Sequence, residues 1–125
     1  MGLWERDVVE AFIGSDATNI TRYTEYEVSP TNERLDVRIA KPDFDFQWSS
    51  RFESATRVDE REKRWTSEWR IPIEAISAEA PRPGVQWKIN LFRCDYANKA
   101  FLALSPALTG SFHTPERFAV LEFLP

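Results

Sequence analysis

Apolar and polar positions alternate through most of this chain, and the alternating stretches are short. Residues 8–13 (Val8-Val9-Glu10-Ala11-Phe12-Ile13) are β-branched and aromatic and stop at Gly14-Ser15-Asp16, which predicts a strand followed by a turn. Residues 23–30 predict a second strand, closed by Pro30, which has no N–H to give a ladder. Its alternation puts Tyr23, Glu25, Glu27 and Ser29 on one side and Thr24, Tyr26 and Val28 on the other. Residues 35–39 predict a short third strand, and 41–50, which mix Pro, Asp and aromatics without period, a loop.

The charge run 59–64 is expected at a solvated hairpin tip. After it Trp65, Ser67, Trp69 and Ile71 share one face of a strand, expected to point inward. Pro72 opens one short predicted helix through Ile73 and Ile76, and Pro81, Pro83 and Gly84 stop it. Further strands are expected over 86–94, 101–104 and 118–123. Many short strands, turn clusters and a single short helix predict an all-β, antiparallel β-sandwich. There is no internal repeat, and 125 residues predict one domain, 1–125.

Composition narrows the function classes. A hydrophobic fraction of 42% against 29% charged residues fits a folded globular chain, and a net charge of -4 with both signs interspersed argues against nucleic acid. No apolar run approaches the roughly 18 residues that span a bilayer, so no membrane partner is expected. The start of the chain has none of the regions of a signal peptide. A single cysteine, Cys94, excludes an internal disulfide and predicts a buried structural thiol. Five Trp and nine Phe supply flat apolar faces, useful in cores and against sugar rings alike.

Five segments, in this order and spacing, resemble the family 9 carbohydrate-binding modules and their family 9-like relatives, which share a jelly-roll-like sandwich. They are residues 3–13, 23–30, 68–72 (Glu-Trp-Arg-Ile-Pro), 87–93 (Trp-Lys-Ile-Asn-Leu-Phe-Arg), and Ser105-Pro106 with 111–118 (Ser-Phe-His-Thr-Pro-Glu-Arg-Phe). The resemblance implies a non-catalytic module that holds a sugar between two aromatic side chains, with polar groups on the ring hydroxyls. Such modules accompany secreted or periplasmic polysaccharide-degrading enzymes such as xylanases, and some hold structural calcium.

Carried over by position, the resemblance implies aromatic walls at Trp4 and Phe112 and a carboxylate at Glu10. Thr109 stands where an amide is expected, and Glu27 where a basic residue is expected. Those changes prevent transfer of glucan or xylan specificity. The family has strands ahead of residue 3, so the fold is expected to lack its first strands. An exposed sheet edge inviting self-association would follow. No cofactor is expected; acidic loops such as Asp43–Asp45 offer carboxylates to calcium, but alternation of Asp and Phe is ordinary loop or strand chemistry.

Read without the resemblance, Glu10 inside an apolar strand is the best functional candidate, because glutamate is disfavoured in cores. Trp4 reads first as a packed or frayed terminal aromatic, and Phe112 equally as core or as site. His113, the only histidine, lines a site or bonds a backbone carbonyl; without a second nitrogen or sulfur ligand it predicts no metal centre. Haem would need an axial pair, and only His113 and Met1 are available. Arg93 is expected to pair with Asp95 or Glu68. Glu25 and Glu27 recur about 6.5–7 Å apart on one strand face, but side chains pointing the same way cannot flank a glycosidic linkage. A solvated strand face is expected there, and an enzyme is not. A structural or protein-interaction sandwich without sugar affinity is the alternative function.

Overall fold

In the computed structural model, which describes residues 2–125, the chain is an all-β antiparallel sandwich. Its strands are β1 (Val8–Gly14), β2 (Arg22–Val28), β3 (Arg34–Ala40), β4 (Asp43–Asp45), β5 (Glu53–Asp59), β6 (Arg64–Arg70), β7 (Gln86–Asp95), β8 (Ala100–Ala103) and β9 (Ala119–Glu122). Seven of them form one sheet in the order β4-β3-β2-β1-β7-β8, with β9 also paired to β7. β8 lies opposite residues 92–95 of β7 and β9 opposite residues 86–89, so the two share its outer edge. The β5–β6 hairpin is a separate two-stranded layer.

β1 and β2 are the interior strands, and nearly every residue in them is buried. Alternation still sorts their side chains between two faces. Ala11, Ile13, Tyr26, Val28 and Trp87 face the hairpin layer and pack with Phe52 as one core, extended by Trp69, Ile71, Ile76 and Phe123. The tilted ring pairs Tyr26–Phe52 and Trp87–Phe123, at 5.2 and 4.8 Å, interlock it. A fully buried aromatic of this kind is worth roughly 1.5–3 kcal/mol of transfer free energy. The other face carries a second core of Phe12, Tyr23, Val37, Ile39, Phe92 and Phe118.

The strand expectations hold for most of the chain, with three corrections. The stretch 41–50 is not all loop: after a cis Lys41–Pro42 bond it forms β4, paired to β3 at the sheet edge. β5 lies ahead of the charge run and pairs with β6 along its full length. The expected short helix is a single 3-10 turn at Ile73–Ala75, matched by two others at Leu3–Glu5 and Pro115–Arg117. No helix among the described residues is long and apolar enough to cross a membrane.

Candidate functional site

The sheet face opposite the hairpin ends in a cavity of about 990 Å³. Its floor comes from alternate residues of β1, β2 and β7: Glu10 and Phe12, Glu25, and Cys94. Its walls come from three segments outside the central strands. These are the amino-terminal turn with Trp4, the edge with Phe44 and Phe46, and the stretch from Phe101 through His113.

Each wall is tied down. The Tyr96 hydroxyl donates to the Trp4 carbonyl at 2.8 Å, and the Tyr96 N–H to Asp7 at 2.8 Å, so the amino-terminal turn is pinned to the β7–β8 turn. Trp4 is therefore not a frayed end; its indole leans on Phe46, at 6.1 Å between centroids, and stays 42% exposed. Gly2 fits under that indole because it has no Cβ, which would collide with the ring. The far wall is anchored by Asn90, fully buried on β7. Its Nδ2 donates to the Ser105 carbonyl at 2.8 Å and its Oδ1 accepts the Ser105 N–H at 2.9 Å. At the other end Lys41 Nζ donates to the His113 carbonyl at 2.7 Å. Between these anchors Leu108 takes a left-handed backbone (φ 59°) and turns an exposed side chain to the rim. That conformation is uncommon for a bulky residue.

Five of the six sequence candidates line this cavity: Trp4, Glu10, Thr109, Phe112 and His113. Phe112 has a double role, because its ring stacks on Phe92 at 4.1 Å and packs against the second core. Thr109 is exposed, and its hydroxyl is occupied within its own loop by Ser111 and Thr114. Glu27 does not line the cavity; it is fully buried beneath it. Glu10 is not at the lip of a slot but 3% exposed on the floor.

His113 does not bond a backbone carbonyl through its ring. Nδ1 lies 2.8 Å from the Tyr23 hydroxyl, the ring stacks on Phe12 at 4.7 Å, and Nε2 faces Glu25 at 3.7 Å. Desolvation, with Lys41 nearby, pushes its pKa down to about 4, so the imidazole is neutral near pH 7. With the proton on Nε2, Tyr23 donates to Nδ1 and the N–H points at Glu25. Arg93 pairs with Asp95 at 3.1 Å, as expected, and its guanidinium lies over Trp65.

The main surprise is a cluster of carboxyls. Glu25 and Glu27 are not on a solvated face; both are buried beside Glu10, the cross-strand partner of Glu27. One oxygen from each of the three lies within 4.8 Å of the others. Burial, then the neighbouring Glu27, pushes the Glu10 pKa up to about 8, and the Cys94 thiol donates to it at 3.4 Å. Glu25 and Glu27 are also raised, in each case first by burial. Near pH 7 the floor is therefore largely protonated, able to donate as well as accept.

Sequence reasoning missed Glu25, Phe44, Phe46, Tyr96 and Phe101 as parts of the site. One signal was available: Glu10, Glu25 and Glu27 all sit at the parity of buried aromatics, with Phe12 and Tyr23 on the same face. The walls that bury them come from segments without a regular period, which alternation cannot place.

No family model matches the chain. An extracellular protein from Arthroderma benhamiae is 26% identical over 140 residues, covering 98% of this chain and 63% of its own length. A crystal structure of a candidate carbohydrate-binding protein from Bacteroides uniformis superposes with a TM-score of 0.74 at 20% identity. That match covers 97% of this chain and 62% of the other, so the chain spans under two thirds of either relative. The structural likeness shows the shared β-sandwich.

Proposed function

We propose that this chain is a non-catalytic carbohydrate-binding module that takes a sugar unit in the aromatic cavity. The observation that carries the reading is convergence. Trp4, Glu10, Phe112 and His113, more than a hundred residues apart at the extremes, line one cavity. A pyranose has apolar C–H faces and a belt of hydroxyls. Exposed aromatic walls suit the first, and neutral carboxyls and an imidazole on the floor suit the second. The volume lies at the upper end of the range for small-ligand sites.

The fold likeness to the candidate carbohydrate binder of Bacteroides uniformis supports the same reading, and the extracellular relative supports action outside the cell, where polysaccharides are met. A family 9-like role beside polysaccharide-degrading enzymes follows from the same reading. Catalysis is disfavoured by orientation, because Glu10, Glu25 and Glu27 are neighbours on one face of β1 and β2 and point the same way instead of flanking a linkage.

Affinity gels and a glycan array with the full chain test the proposal. Trp4→Ala is expected to weaken retardation by the bound glycan with little change in melting temperature, since Trp4 is half exposed. Phe112→Ala is expected to lose both binding and stability, because its ring also packs on Phe92. Absence of retardation by every glycan tried would favour the second reading, a protein-interaction sandwich. One feature supports that alternative: Phe101 and Leu102 of the edge strand β8, and Leu104 just beyond it, are exposed. Sedimentation that shows a dimer broken by Leu102→Asp would support it directly.

A further inference from the structure

Glu10, Glu25 and Glu27 stand together on one face of β1 and β2, buried, and no lysine or arginine answers them. Glu10 and Glu27 are cross-strand partners, and Glu25 is two residues along the same face. Like charges in direct cross-strand contact are unfavourable. Among the described residues, none of the ion pairs brings a lysine or arginine to any of the three. The one basic neighbour is His113, which faces Glu25 and is held neutral by its own burial. The remaining polar groups around the cluster are the Cys94 thiol of β7, on Glu10, and the Tyr23 hydroxyl of β2, engaged with His113.

A second observation is independent of the clustering. Glu27 is 0% exposed, and no N–H, hydroxyl or cation reaches either of its carboxyl oxygens; its one polar neighbour, Glu25, is another carboxyl, which can bond it only by sharing a proton. Buried polar atoms in native proteins are nearly always partnered, and a buried carboxyl without one costs several kcal/mol. A partner of the right size and charge therefore belongs between these side chains. Size decides its nature. Glu10 and Glu25 line the cavity and Glu27 does not, so an organic cation filling the cavity meets only the first two. A single ion lodged between the three carboxyls meets all of them.

We propose that Glu10, Glu25 and Glu27 form a binding site for one hard divalent cation of the calcium class, entered through the aromatic cavity. The donor set is oxygen alone, which selects calcium, magnesium or manganese over softer metals. Three carboxylates supply up to six oxygens, and calcium accepts six to eight at 2.3–2.6 Å, with some from carboxylates in bidentate mode. Cys94, which contacts Glu10, offers a soft sulfur that a hard cation does not favour, so it stays out of the shell. The ion's remaining positions face the cavity, where solvent completes the shell. This site differs from the Asp43–Asp45 edge, where Asp45 is already committed to Arg38 and to the Gln47 and Trp48 N–H groups. It does not depend on whether the cavity takes a sugar.

The test is isothermal titration of the chelator-stripped full chain with calcium chloride, and in parallel with magnesium and manganese chloride. A pH of about 8.5 weakens the competition from protons, which burial raises at all three carboxyls and which the metal must displace. The expected result is saturable uptake of one ion per chain with a rise in melting temperature, both lost in Glu27→Gln. Manganese is also expected to broaden the backbone amide signals of residues 10, 25 and 27 in the unaltered chain, a readout that needs no variant to fold. No saturable uptake of any of the three ions would overturn the site, leaving protons as the carboxyls' only partners. Broadening centred on residues 43–45 instead would overturn it as well.

Discussion

The two faces of the large sheet are built from alternate residues of the same strands and yet do opposite things. Toward the hairpin, β1 and β2 present Ala11, Ile13, Tyr26 and Val28, which close against Phe52 and Trp69 and leave only the neutral Tyr26 hydroxyl unpartnered. Toward the cavity the same strands present Glu10, Glu25 and Glu27 beside Phe12 and Tyr23. One face spends its burial on apolar contact; the other buries charge-bearing groups at a cost in stability. In this sandwich apolar packing and buried acidic groups are thus separated by parity along the strand, one residue apart.

The largest expected effect is a break on the hairpin side. Trp87→Ala removes a buried indole from that core and should cost about 3–5 kcal/mol in urea unfolding, enough to threaten folding of a domain this size. Asn90→Ala, at the foot of the cavity wall, follows. It leaves the Ser105 N–H and carbonyl unpaired and should cost about 1–3 kcal/mol. On the cavity side the sign reverses. Glu27→Leu is expected to raise the stability of the metal-free chain by about 1–3 kcal/mol at pH 8, because it removes a buried unpartnered carboxyl. A loss comparable with that of Trp87→Ala would mean that the two faces do not differ as described.

Acidity sharpens the contrast. Glu10 is raised from 4.5 to about 8 in the folded state, so between those values the folded chain binds more protons than the unfolded one. Its stabilising contribution is complete below pH 4.5 and is lost as pH rises through 8; Glu25 and Glu27 act in the same sense. His113, lowered from 6.5 to about 4, opposes them only below pH 6.5, where the unfolded state takes up the proton first. Melting temperature is therefore expected to fall by about 5 °C or more between pH 6.5 and 9, by scanning calorimetry, and to fall less in Glu27→Leu. The smallest effect concerns position. Gly2→Ala should leave stability within about 0.5 kcal/mol but displace the Trp4 indole, read as a change in tryptophan fluorescence.

How much of this was legible before folding follows from the same division. Strands such as 8–13, 65–71 and 86–94 announce themselves, because a regular period and β-branched or aromatic residues coincide. β4 was hidden by Pro42 and by a length of three residues, below what a period of two can reveal. The burial of Glu25 and Glu27 was hidden for a different reason. A glutamate alternating with tyrosine reads the same whether water or an aromatic wall lies above it, and the wall comes from residues 2–5, 44–46 and 101–113, distant in sequence. Resemblance pointed to Trp4, Glu10, Glu27, Thr109 and Phe112; that Glu25 joins Glu10 and Glu27 in one buried cluster emerged only from strand register and burial.

The doubly bonded Asn90 has a wider consequence. Because it clamps Ser105 from the sheet while Lys41 clamps His113 from an edge, the seven residues between them hang from two fixed feet. Apart from Phe112, whose ring packs on Phe92, such a stretch can be lengthened, shortened or rewritten without disturbing the strands that carry it. It is the place where descendants of this chain can exchange one preference for another and keep the scaffold, and where a protein engineer would first graft new recognition.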